Sequence, residues 1–182
     1  SKSRAAYKES VSDVISILRF FYSFISNHNT AIEDIRLLMT GQAGLRDEEN
    51  REIFEDSFRY LRVSDMDANF IYNDMLQRLF KAPTLGANIY VDNLKTTEGE
   101  IALRIGSNGE YCGVINVGDS DGLMKKIKEE KDDEGNALFV CTDVDFTSKS
   151  PFATINDRDS SINILLGSKK FTEGWNSWRV ST

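Results

Sequence analysis

The hydrophobic pattern of this chain changes near Gly86, and that switch limits what its 182 residues can build. Before Gly86, apolar residues recur at three- and four-residue steps, the spacing of one helix face. After it come short β-prone runs separated by turn residues. The expected class is α/β, with α+β character in parts. A helical segment over 1–83 leads into a mixed β/α segment over 84–182.

In the first segment, Val11, Val14, Ile15, Leu18, Phe21 and Ile25 form one stripe on a long helix ending near Asn27-His28-Asn29. Thr30 with Glu33 has the spacing of a capping box opening a second helix, for which Gly41 is the natural stop. Asp47 predicts the start of a third, with Arg46 to Arg51 solvated and Phe54, Phe58 and Leu61 turned inward. Ser64 and Asp67 predict the caps of a fourth, carrying Phe70, Ile71, Met75, Leu79 and Phe80. Ala82-Pro83 ends it, because a residue before proline avoids the helical region.

In the second segment, Gly86 to Val91, Glu100 to Ile105 and Tyr111 to Val117 read as an antiparallel meander, with a hairpin signal at Asn108-Gly109. Asp119-Ser120-Asp121-Gly122 predicts the cap of a helix through Lys131, and Ala137 to Val144 a further strand. The polar connection Thr147 to Ser160 then leads into an apolar run, Ile162 to Leu166, with the pattern of a buried strand.

Several simple sites are excluded by spacing. The Asp119 stretch lacks the later ligands of a calcium loop, so a helix cap is the better account. Gly41-Gln42-Ala43-Gly44 lacks the glycine-lysine-hydroxyl pattern that cradles phosphates. His28, the one histidine, has no cysteine nearby and reads as a helix-terminus residue. Cys112 and Cys141 are too far apart for a zinc motif, and two cysteines make no disulfide framework. A reduced, cytoplasmic protein with no membrane span is expected. Net charge is −7, which argues against strong independent nucleic-acid binding.

Beyond Leu166 the chain reads Gly167-Ser168-Lys169-Lys170-Phe171-Thr172-Glu173-Gly174-Trp175-Asn176-Ser177-Trp178-Arg179-Val180-Ser181. This stretch resembles motif V of the DEAD/DEAH helicase-like subunits of type III restriction endonucleases. The resemblance is strongest over Ile162 to Thr182, extends over Tyr90 to Gly118, and is weak over the N-terminal helices. It implies part of the second RecA-like domain, the helicase C-terminal domain, preceded by the helical segment and the meander. It further implies that Ser168, with Lys169, Lys170 and Thr172, touches nucleic acid, and that Gly174 and Asn176 lie beside the nucleotide. Asn176 stands where many relatives have an aspartate, and Lys169 where many have an acidic residue.

By the same resemblance the parent enzyme uses ATP and magnesium, translocates along double-stranded DNA and pairs with a modification methyltransferase subunit. The phosphate loop and magnesium-binding acids that ATP hydrolysis needs are missing from this sequence. An arginine motif expected beyond motif V is missing too, so an internal fragment is expected, without a catalytic centre or metal ligands of its own. Trp175 and Trp178 fit base stacking or a packing corner equally. A different class of function is also open: a non-catalytic interaction or scaffolding module, in which 167–181 is an ordinary strand-to-helix connection.

Overall fold

The computed structural model describes residues 2–54, 56–96, 99–145 and 151–167, with side chains from residue 9 onward. Five helices and five strands follow in the order α1 (Lys2–Ser26), α2 (His28–Thr40), α3 (Arg59–Val63), α4 (Ala68–Arg78), β1 (Ile89–Leu94), β2 (Glu100–Ile105), β3 (Tyr111–Asn116), α5 (Ser120–Glu129), β4 (Phe139–Val144) and β5 (Ile164–Gly167). The strands form one mixed sheet in the order β4-β1-β2-β3-β5. The expected meander is present, since β1 with β2 and β2 with β3 pair antiparallel. β4 joins β1 and β5 joins β3, both in parallel. Four strands therefore run one way and β2 the other.

The stripe expected on α1 is the one that packs: Val14, Leu18, Phe24 and Ile25 are buried, and Val11, Ile15 and Phe21 are half-buried against them. One apolar cluster joins these residues to Ile35 and Met39 of α2, Tyr72 and Leu76 of α4, Leu123 and Ile127 of α5, and Val91, Ile101, Leu103 and Ile115 of the sheet. Each fully buried aliphatic side chain there contributes about 1.5–3 kcal/mol relative to exposure. The Tyr72 hydroxyl donates to the Phe24 carbonyl at 3.0 Å, so α4 is tied to α1 without leaving a polar atom unpaired. Arg19 of α1 pairs with Glu130 just beyond α5.

Strand alternation puts Ile89 and Val91 on this helix-covered face and Tyr90 and Asp92 on the other. On that second face Val114, Ile155 and Ile162 make a smaller cluster, flanked by Phe152 and Leu165. The connection before β5 is thus packed against the sheet over its described part, 151–163.

Some local expectations shift. α2 starts at His28 after Asn27, so Thr30 lies inside the helix and the capping box does not form. Glu33 instead pairs with Arg36 one turn on. Gly41 does end α2, with φ 68°, a left-handed conformation that glycine adopts without a Cβ penalty. No helix begins at Asp47; its carboxylate accepts from the backbone N–H groups of Glu49 and Arg51 and closes a turn, with a bridge from Arg46 to Glu52. The third helix is only Arg59–Val63, and Phe54 is exposed. Asp67 caps α4 through Asn69 N–H as expected, whereas Ser64 ends α3 and Phe70 faces outward.

Asp119 caps α5 through Gly122 N–H at 2.8 Å. β1 lies three residues later than expected at both ends. In the β2–β3 hairpin the left-handed residue is Gly106, φ 82°, rather than one of Asn108-Gly109. β5 is Ile164–Gly167, paired on one side with β3; Ile164 is buried and Leu165 and Leu166 are half-buried, less enclosed than the apolar run implies. Among the described residues no helix is long and apolar enough to cross a membrane.

Candidate functional site

Because β1, β3, β4 and β5 are mutually parallel, all four deliver their carboxyl ends to one edge of the sheet. Open sheets of this kind bind ligands at that edge, where loops leave the strands and helices begin. Here β1, β4 and β5 end, and the turn between β3 and α5 lies there as well. Buried polar residues gather toward the same edge. Asn93 is 1% exposed, Glu100 4% and Asn116 5%, and Glu100 lies opposite Asn116 in the β2–β3 register.

Asn93 sits next to the end of β1, on the α5 side, with its neighbour in β4 at Asp143. Its Nδ2 donates to Asp121 Oδ1 at 2.8 Å and to Asp143 Oδ1 at 3.3 Å. The Lys95 ammonium reaches the same two carboxylates, at 2.6 and 3.4 Å. The hydrogen bond to Asp121 raises the Lys95 pKa, with Asp143 adding to it, and the same bond from Lys95, then that from Asn93, lowers the Asp121 pKa. The result is a tethered charge group over the N-terminus of α5. Asn93 Oδ1 is buried and has no hydrogen-bond partner among the described residues.

On the opposite face Asp92, fully buried in mid-strand, is the hub of a second network. Arg104 Nε donates to Asp92 Oδ2 at 2.6 Å, the Tyr111 hydroxyl to the same oxygen at 3.1 Å, and the Thr142 hydroxyl to Oδ1. Arg104 also donates to the Gly106 and Ser107 carbonyls and lies over the Tyr90 ring, 4.2 Å from its centroid. Burial works against the Arg104 charge, yet the Asp92 hydrogen bond and charge outweigh it and the pKa is raised. Burial, then the Asp92 charge, pushes the Tyr111 phenol up to about 12. Through Asp92 this network ties β1, β2, β3 and β4 together and is read as structural.

Of the residues singled out in sequence, Gly167 ends β5 at the carboxyl edge. Ser168, Lys169, Lys170, Thr172, Gly174 and Asn176 lie outside the described residues, as do Trp175 and Trp178. His28 is exposed at the start of α2. Cys112 is buried and Cys141 half-buried; burial raises both thiols, Cys112 to about 12. Sequence reading missed Asn93, Lys95, Asp121 and Asp143 as a group. The available signal was two consecutive polar residues, Asp92-Asn93, inside a β-prone run, where one of any two neighbours must face the core.

The described residues contain no group of three or more His, Cys, Asp or Glu able to hold a metal ion. Comparisons with protein-family models, curated proteins and solved structures find no match for this chain.

Proposed function

We propose that this chain is part of the ATP-dependent, DNA-translocating helicase-like subunit of a type III restriction endonuclease, contributing motif V from a partial second RecA-like domain. The observation that carries this reading is the placement of β5. It runs parallel to β3 and ends at Gly167 on the edge where β1, β3 and β4 also end, so the Gly167-Ser168 step starts where such sheets meet ligands. Ser168, Lys169, Lys170 and Thr172 would contact the DNA backbone, positioning it without reading sequence. Gly174 would admit the nucleotide close to the backbone, with Asn176 beside it.

The residues present do not fit a complete ATP–magnesium site: no phosphate-cradling motif occurs in the sequence. In this reading the phosphate loop and the magnesium ligands belong to the rest of the subunit. ATP would supply the driving free energy, and this chain would bind and orient. Double-stranded DNA and a methyltransferase subunit are the partners.

The test is made in the full-length subunit. Ser168→Ala should weaken DNA stimulation of ATP hydrolysis while sparing nucleotide binding, and Gly174→Val should impair hydrolysis with DNA saturating. Well-folded variants at both positions with wild-type DNA-stimulated ATPase and translocation would refute the assignment. The rival, a protein-interaction module, draws on one observation: Tyr60, Val63 and Phe70 are 78%, 79% and 56% exposed on the helical side.

A further inference from the structure

The helical layer holds an apolar cavity that the motif V reading leaves unused. α1, α2, α3 and α4, with Ala43, Leu45 and Phe58 from the connection between α2 and α3, line a half-open pocket of about 450 Å3, within the range of small-ligand sites. None of its lining residues comes from the sheet or from the loops at the carboxyl edge. Phe24, Ile35 and Met39 form its buried wall, and Phe20 and Leu45, both largely exposed, flank it. An apolar molecule that fills such a pocket recovers packing contacts with these walls and removes their apolar surface from water.

Polar character is confined to Ser23, Thr30 and Asp34. Thr30 and Asp34 are four residues apart on α2 and therefore neighbours on one face. Asp34 is exposed and makes no hydrogen bond or ion pair among the described residues, while the adjacent Glu33 is held by Arg36. No basic side chain lines the cavity. The geometry points to a binding site for a small amphiphile, an alkyl or aryl body in the cavity and a cationic ammonium or amidinium end beside Asp34. An apolar body matches the walls, and the one lining charge sets the sign of the head group, favouring a cation and opposing a carboxylate. This site is independent of the motif V assignment.

Decylamine, decanol and decanoate, titrated below their micelle concentrations into the 182-residue chain and followed by calorimetry, test it. The amine should bind tightest and the acid weakest, with each step roughly two- to fivefold, the scale of an exposed charge contact. Asp34→Asn should bring the amine to the affinity of the alcohol and leave the alcohol unchanged. Ala43→Trp, which enters the pocket from the α2–α3 connection, should abolish binding of all three while circular dichroism and the unfolding midpoint stay native-like. If Ala43→Trp unfolds the chain, Ala43→Leu, with less bulk, should weaken all three in parallel. No binding of any probe, equal binding of amine and acid, or affinities untouched by a folded position-43 variant would overturn the proposal.

Discussion

Asp92 and Arg104 meet diagonally across β1 and β2: Arg104 stands opposite Tyr90 in the register, two residues from Asp92, and its Nε lies 2.6 Å from Asp92 Oδ2. The Asp92 side chain is 1% exposed and that of Arg104 16%, so the pair sits in a weakly screened setting. Removing one partner leaves a charge that has already given up its water. Arg104→Ala should therefore destabilise by about 3–5 kcal/mol, at the lower end because the Tyr111 and Thr142 hydroxyls still serve Asp92. Urea unfolding of Arg104→Ala and of the double variant Arg104→Met with Asp92→Leu measures this. The double variant should lose less than the single one; an equal or larger loss would contradict a pair held by mutual compensation.

The alkaline limb of stability should report Tyr111. Its folded pKa of about 12 lies above the unfolded value near 10, so between those pH values the unfolded chain releases a proton that the native one keeps. The contribution is complete below about pH 10 and is lost as pH rises toward 12. Buried Cys112, also pushed up to about 12, starts to act lower, from the unfolded thiol value near 8.5. Tyr111→Phe should flatten the upper part of the curve, and Cys112→Ala the part beginning near pH 8.5. Unchanged pH profiles for both variants would show that neither group titrates as described.

Gly113 is the close-approach point between β3 and β5. A Cβ there would meet Ile164 Cβ at 3.2 Å and Leu103 Cδ1 at 3.3 Å. Gly113→Val should destabilise by about 1–3 kcal/mol, the cost of overpacking. It should also raise hydrogen exchange at Leu165 and Leu166 more than at β1, because the strand pushed away is β5. Uniform acceleration across the sheet would mean that β5 is not a separable element.

DNA binding by this chain should be weak and steeply salt-dependent, since net charge is −7 and the basic residues of the motif stretch are local. Replacing Lys169 and Lys170 together with alanine should lower the slope of log affinity against log salt by about 2, one per phosphate contact. No ATPase activity above background is expected from the isolated chain, with or without DNA, and turnover that copurifies with it would be the contrary result.

What was legible in the sequence is what local chemistry decides. Asp67 and Asp119 each accept from a backbone N–H two or three residues on, and the meander follows from alternation and turn residues. Asp47 misled for the same kind of reason. Its carboxylate is equally able to close a turn on Glu49 and Arg51, and no apolar face downstream was strong enough to draw the segment into a helix. The parallel placement of β4 and β5 was not legible, because nothing near Phe139 or Ile164 names the strand it will pair with. The Asn93, Lys95, Asp121 and Asp143 group depends on that placement, since Asp143 reaches Asn93 only through the β1–β4 ladder.

The order of strands also sets an order of assembly. The three central strands close through short hairpins, whereas the flanking contacts span long loops: Thr142 meets Asp92 and Ser161 meets Tyr111 across 50 residues of chain each. Loop-closure entropy makes such contacts late and slow relative to hairpins. The meander thus serves as a template, completed from both sides. β4 and β5, each held by a single described neighbour, β1 and β3, are the strands that complete a sheet already begun.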